Sequence, residues 1–115
     1  MNPVDAQKKI IDQLYQIVMG SCPTGIKEAS CRFDYQRFND GSASVGQRFE
    51  YVSGGKTVST ALDRDLRRHV MDLVKQLHAI MKAHTGGDWN AFTLSIDKDG
   101  RVMTKFEYPE TNNIS

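Results

Sequence analysis

Histidine has the widest chemical range of any side chain in this sequence, because it can act near neutral pH as an acid, a base or a metal ligand. The chain has three, His69, His78 and His84, within one segment of helical periodicity. Their spacings of nine and six residues put no two of them on adjacent turns, as a helical zinc site requires. We therefore expect no metal site here and interpret the three histidines as solvated or half-buried.

Carboxylates near the C-terminus have part of the pattern of a calcium-binding loop. Asp97, Asp99 and Gly100 lie close together, but an EF-hand needs a bidentate Glu at its last position and a helix on each side. A hairpin turn selects the same residue types.

The sequence also has no nucleophile elbow, no phosphate-binding loop and no Ser or Cys with an evident base. We therefore predict no catalytic residues, no metal ion and no cofactor.

The densest basic group consists of Arg64, Arg67 and Arg68, at the predicted start of a second helix. Their charge opposes the helix dipole, which favours acidic residues at this end. Asp63 and Asp65 offset only part of that charge. A solvated polar face is the simpler interpretation, and a contact with a phosphate group or an acidic protein is the alternative.

Two helices are predicted from apolar residues that recur every three to four positions. In the first, Asn2 is the N-cap, Pro3 is the first helical residue and the helix ends at Gly20. The second begins near Asp63 and ends before Gly86. Each has a polar side as well, so we expect both helices to lie on a core rather than to run through one.

Five strands are predicted from runs in which apolar and polar residues alternate. They cover residues 29–36, 44–51, 56–60, 91–97 and 102–108. The order α-β-β-β-α-β-β favours an α+β fold, with an antiparallel sheet of about five strands and both helices packed on one face. From Thr111 onward the polar residues predict a frayed tail.

The sequence suggests a strand register for each of the two hairpins. In the first, a turn centred on Gly41 places Arg32 opposite Glu50, and Asp34 opposite Arg48. We expect the face with these four charges to be open in the free protein and to form part of a partner-binding surface. Charges of both signs select against wrong partners.

The final hairpin has its own register, which a turn centred on Asp99 sets. It pairs Phe92 with Phe106 and leaves Gly100 at the position that needs a left-handed backbone. Trp89, the only tryptophan, heads this hairpin. Closing the core between the second helix and the sheet is its default role, and an exposed anchor for a partner is the alternative.

The composition is that of one globular domain spanning residues 1–115. Hydrophobic residues make up 39% and charged residues 25%, which is too apolar for a disordered chain. The net charge of +1 gives no global field to attract nucleic acid or an anionic membrane. With two cysteines, no cleavable signal and no apolar run that could span a bilayer, we expect a cytoplasmic protein without disulfides.

The C-terminal run from Trp89 to Tyr108 resembles the signature of the YezG-like immunity proteins. It reads WNAFTLSIDKDGRVMTKFEY. In that family a Trp opens a hairpin with a D-G or N-G turn, and an aromatic residue, an acidic residue and Tyr close it. The resemblance implies a bacterial cytoplasmic protein that neutralises a polymorphic toxin, often a nuclease. It implies no catalytic residue.

These observations lead to one main hypothesis and two alternatives. The main one is an immunity protein (antitoxin) that binds and neutralises a cognate toxin domain in contact-dependent or interbacterial competition. A chain that is so nearly neutral is poorly suited to block the active site of a nuclease by its charge. We therefore expect it to bind an exosite of a nuclease, or a toxin that is not a nuclease. The predicted partner-binding residues are Arg32, Asp34, Arg48, Glu50, Arg64, Arg67 and Arg68.

The first alternative is a non-catalytic adaptor or chaperone-like module for a secreted or phosphorylated client, with Arg64, Arg67 and Arg68 as its anion site. The second is an enzyme, which a polar pocket around His78 or His84 would favour.

Overall fold

A five-stranded antiparallel sheet with two helices on one face forms the structure, a computed structural model that describes residues 2–108. The sheet has the spatial order β3-β2-β1-β4-β5. The predicted α+β class and the order of elements are confirmed. The tail predicted from Thr111 lies outside the described residues. The elements are α1 (Pro3–Gly20), β1 (Glu28–Arg37), β2 (Ala43–Ser53), β3 (Lys56–Thr60), α2 (Arg67–Thr85), β4 (Ala91–Ile96) and β5 (Val102–Glu107).

Helix α1 begins as predicted. The side-chain oxygen of Asn2 accepts a hydrogen bond from the Val4 backbone N–H at 2.9 Å, which satisfies one of the free donors at the helix start. Pro3 occupies the first turn, where its missing N–H costs nothing. One stripe of the helix is buried against the core, through Ile10, Leu14 and Val18.

Helix α2 begins at Arg67, later than the predicted start near Asp63, because a short 3-10 turn over Arg64–Leu66 comes first. The carboxylate of Asp63 caps that turn and accepts from the Asp65 N–H at 3.1 Å. The helix ends as predicted at Gly86, which has a φ of 75° and donates its N–H to the Lys82 carbonyl at 2.9 Å. A left-handed residue of this kind is the usual helix stop.

The core lies between the two helices and one face of the sheet. On the sheet side its centre is aromatic, and the Phe33 and Phe92 rings stack with centroids 5.0 Å apart. Cys31 lies fully buried in the same layer, and burial raises the pKa of its thiol to about 12. The sheet residues of the core include Ala29, Cys31, Phe33, Phe49, Phe92, Leu94 and Ile96.

The predicted register of the first hairpin is wrong by two residues. Arg32 lies opposite Arg48, and Asp34 lies opposite Gly46, so neither predicted opposite-charge pair forms across β1 and β2. The turn explains the difference. Gly41, with a φ of 87°, takes the third position of a three-residue loop, which centres the hairpin one residue earlier than predicted. A shift of two residues leaves every side chain on its predicted face.

The second hairpin has the predicted register. Phe92 lies opposite Phe106, and Gly100 has a φ of 83°. The Asp97 carboxylate holds the loop, since it accepts hydrogen bonds from the backbone N–H groups of Asp99 and Arg101, both at 2.9 Å. This is the role of an Asp in a turn rather than that of a calcium ligand.

Within residues 2–108, no helix is both long and apolar enough to cross a membrane.

Candidate functional site

No helix within residues 2–108 covers the face of the sheet that is turned away from α1 and α2, and we call it the open face. Side chains alternate along each strand, so the neighbours in sequence of the core residues point to this face. Arg32 and Asp34 on β1 flank the buried Phe33, and Arg48 and Glu50 on β2 flank the buried Phe49. The structure thus brings these four predicted partner-binding residues onto one surface.

The strand registers arrange the charges of the open face in rows across the sheet. Arg48, Arg32, Thr93 and Lys105 lie side by side on four neighbouring strands and form a basic row. The next row, toward the first hairpin loop, has Asp34 and Glu107 with two small residues, Gly46 and Ala91. On the other side of the basic row lie Glu50, Ser30, Ser95 and Met103.

Arg32 is held by acidic side chains within this face. Its Nε and Nη2 atoms donate to the two carboxylate oxygens of Glu107, both at 3.1 Å, and it also forms an ion pair with Asp34. To reach Glu107 the guanidinium crosses β4, where its neighbours Thr93 and Ala91 are small. The hydrogen bonds from Arg32 are the main reason that the pKa of Glu107 lies below its usual value.

Arg48 is in a different situation from Arg32, although the two lie opposite each other. It is exposed, and it has no ion pair among the residues that the structure describes. Two like charges opposite each other disfavour the strand pair slightly. Asp34 and Glu107 form their ion pairs with Arg32 and not with Arg48, which leaves Arg48 available to a partner.

Glu50 lies at the edge of a shallow depression in the open face. The depression is lined by residues of all five strands, and these include the small residues Ser30 and Ser95, which lie opposite each other. Glu28 lies on its rim, and Met103, 52% exposed, adds an apolar side. Its shape suits a side chain of a docked protein rather than an enclosed small molecule.

The other three predicted residues lie elsewhere. Arg64, Arg67 and Arg68 are exposed and line a separate shallow groove beside α2, in the helical layer. Asp65 and Asp72 line the same groove and offset part of its positive charge. The seven predicted residues therefore form two surfaces on opposite sides of the sheet.

His78 forms a polar site that the sequence analysis missed. Its ring is buried, not solvated or half-buried as expected, and only 3% of the residue is exposed. It stacks on Tyr35 with centroids 4.0 Å apart and meets the Trp89 ring edge-on at 4.9 Å. Its Nε2 atom lies 2.9 Å from a carboxylate oxygen of Asp88. The signal was present in the sequence, since His78 follows Leu77 on the apolar stripe of α2.

Burial is the main reason that the pKa of His78 lies below its ordinary value. The positive charges of Lys82 and Arg37 lower it further, and the hydrogen bond to Asp88 opposes the shift. The Tyr35 and Trp89 rings pack against the His78 ring, and the Asp88 carboxylate lies at its Nε2 atom.

We predict that His78 makes the protein less stable in mild acid. Since its folded-state pKa is lowered, the unfolded chain binds the proton more tightly, and stability falls as the pH drops below about 6.5. Urea unfolding at a series of pH values measures this loss. His78→Phe, which keeps the ring stack, should make the free energy of unfolding depend less on pH. His84→Gln, at an exposed position, should leave that dependence unchanged. The same pH dependence in His78→Phe as in the original protein would assign the acid sensitivity to other groups.

Trp89 closes the core, as its default interpretation predicts. Only 1% of it is exposed, so the alternative of an exposed anchor is wrong. Its indole N–H points at the sulfur of Met81 on α2 at 3.3 Å, and its ring packs on Phe92 and Phe106. The residue therefore joins α2 to the final hairpin.

Within residues 2–108, no group of three or more His, Cys, Asp or Glu side chains is arranged to hold a metal ion.

Comparison with known proteins gives one partial relative. No family model matches the sequence. A "Chorionicgonadotropic hormone-like protein" of Stenotrophomonas maltophilia is 38% identical to it over 78 residues. The aligned part is 68% of this chain and 18% of that protein, so the chain spans less than a fifth of the relative's length.

Proposed function

We propose that this protein is an immunity protein that binds and neutralises a cognate bacterial toxin domain in the cytoplasm, during contact-dependent or interbacterial competition. The observation that carries the proposal is the open face, a five-stranded surface without helices on which charges of both signs alternate in rows. The resemblance of the hairpin from Trp89 to Tyr108 to the YezG-like signature indicates the class of partner.

The open face suits recognition of one particular protein. Arg48 lacks an ionic partner within residues 2–108, and Glu50 stands beside a depression that can receive a side chain. A partner must therefore present an acidic group to Arg48 and a basic or polar group near Glu50. A protein with the opposite arrangement meets like charges, which is how such surfaces exclude wrong partners.

The interior of the protein supports binding rather than catalysis. His78 has a carboxylate partner in Asp88, the usual first sign of an acid–base pair. Its ring nevertheless packs against both Tyr35 and Trp89 and is buried, which favours a structural role for the pair.

Co-expression with the toxin domain encoded immediately upstream of this protein tests the proposal. We expect this protein to restore growth of cells that produce the toxin domain, and the two chains to purify together as a stable complex. A Trp89→Ala variant, which disrupts the core, is a suitable negative control. Continued growth arrest together with no co-purification would exclude an immunity role for this pair.

The groove beside α2 favours a second candidate, an adaptor or chaperone-like module for a secreted or phosphorylated client. Arg64, Arg67 and Arg68 converge there, and guanidinium groups bind phosphate well. Titration calorimetry with a phosphoserine peptide tests it. Saturable binding that Arg67→Glu abolishes would support the adaptor role, and absence of binding would leave the groove as a solvated surface.

A further inference from the structure

Strand β5 is an edge strand of the sheet, and the backbone groups on its outer side are unpaired within residues 2–108. The carbonyls of Arg101 and Glu107 accept hydrogen bonds from Asp97 and Asn90, so these residues turn their backbone groups toward β4. Orientation alternates along a strand, and Val102, Thr104 and Phe106 therefore direct their N–H and C=O groups outward. Among the described residues no strand pairs with this edge.

The edge of β5 also has three of the five large apolar side chains that are exposed within residues 2–108. Val102, Met103 and Tyr108 are 43%, 52% and 54% exposed, and all three lie on β5 or directly after it. The opposite edge, β3, has the polar sequence KTVST. Proteins usually protect an edge strand with charges, Pro or a bulge. On β5 one of the two charges, Glu107, is turned inward to Arg32.

We propose that β5 pairs with β5 of a second copy of this chain, which makes a symmetric dimer with one continuous ten-stranded sheet. The two strands run antiparallel about a twofold axis at Thr104. In this register Thr104 lies opposite Thr104 of the second copy. Val102 of each copy lies opposite Phe106 of the other copy. All three outward-facing residues of each strand then exchange hydrogen bonds with the other copy. If the two strands slide by two residues, some of these outward-facing residues lose their hydrogen-bond partners.

The side chains of β5 complement themselves in the same register. Val102 meets Phe106 of the second copy on the helix side of the sheet, which covers an exposed apolar group. On the open face Met103 lies beside Lys105, and Arg101 beside Glu107, so that no two like charges lie directly opposite each other. A second copy therefore satisfies both the backbone and the side chains of this edge.

The dimer does not depend on the identity of any toxin. A twofold axis perpendicular to the sheet places both open faces on the same side, which doubles the surface without covering it. An interface made by one strand from each copy is small, so we expect a dissociation constant in the micromolar range.

Sedimentation equilibrium of the purified full chain, from about 1 to 500 µM, tests the proposal. We expect the 13.0 kDa monomer at the low end and a species of twice that mass at the high end. Thr104→Pro removes an outward N–H at the axis without breaking a bond to β4, and it should raise the dissociation constant at least about tenfold. Thr57→Pro places the same change on the edge of β3 and should have no effect.

A cross-link tests the register independently of how well the proline variant folds. In a Cys22→Ser background, Thr104→Cys brings two thiols together at the axis, with Cα atoms roughly 5.5 Å apart, within disulfide range. We expect mild oxidation to form a covalent dimer from Thr104→Cys and not from Thr57→Cys. A monomer at every concentration, a larger effect of Thr57→Pro, or equal cross-linking of both cysteine variants would each overturn the proposal.

Discussion

Replacing Trp89 with Ala should lower the free energy of unfolding by about 4 kcal/mol, the largest loss we expect from a single substitution. The residue is 1% exposed, and its ring lies 5.2 Å from Phe92 and 5.5 Å from Phe106, measured between centroids. Truncation leaves a cavity where α2, β4 and β5 meet. It also uncovers His78, which loses one of its two aromatic neighbours.

Urea unfolding followed by far-UV circular dichroism measures this change, because Trp89 is the only tryptophan and its loss removes the usual fluorescence signal. Trp89→Phe should recover part of the stability, since it keeps an aromatic ring in the site. Phe38→Ala, at a residue that is 46% exposed, should change the stability by less than about 0.5 kcal/mol. A loss below about 2 kcal/mol in Trp89→Ala would show that the neighbouring rings close the cavity.

The second large effect concerns recognition. Changing Arg32 and Arg48 together to Glu reverses the basic row of the open face. It should weaken binding of the toxin domain that we propose as the partner at least tenfold, roughly 1.4 kcal/mol. Arg48→Glu alone should account for most of the loss. Arg48 has no ion pair within residues 2–108, whereas Arg32 is held by Glu107 and Asp34.

Titration calorimetry with the purified toxin domain measures this loss, and circular dichroism verifies that each variant is folded. Arg67→Glu combined with Arg68→Glu is the matched control, since it reverses two arginines in the helical layer. Unchanged affinity in the folded Arg32→Glu, Arg48→Glu protein would remove the open face from the interface. Loss of binding in the control instead would place the toxin on the groove beside α2.

The element order and the faces of the strands were predictable from sequence because they depend on local signals. Asn2 and Pro3 define the start of α1, and the alternation around Phe33 determines the buried face of β1 whatever its register. The final hairpin was also predicted in register, because the loop chemistry ending in Gly100 permits one arrangement.

The register that charge complementarity predicts for the first hairpin is wrong, because the turn determines the register and exposed ion pairs do not. A cross-strand ion pair contributes less than about 1 kcal/mol, whereas a left-handed glycine at Gly41 determines the loop geometry. The same glycine rule that places Gly100 correctly applies here. Arg32 finds its carboxylate in Glu107, 75 residues away, which a two-strand comparison does not reveal.

The surroundings of His78 were beyond the sequence analysis for another reason. Its contacts come from two parts of the chain that are separate from α2. Tyr35 belongs to β1, and Asp88 and Trp89 belong to the loop before β4. Periodicity indicates that a side chain faces the core. It does not indicate which distant groups meet there.

The division of each strand into a core side and an open side has a consequence for how such a protein diversifies. Substitutions at Arg48, Glu50 or Lys105 leave the packing of Phe33, Phe92 and their neighbours untouched, because the two sets lie on opposite faces of the sheet. A duplicated gene can therefore change the residues of its open face over many small steps while every intermediate still folds. A randomised library at those three positions should likewise yield mostly folded members, from which binders of new proteins can be selected.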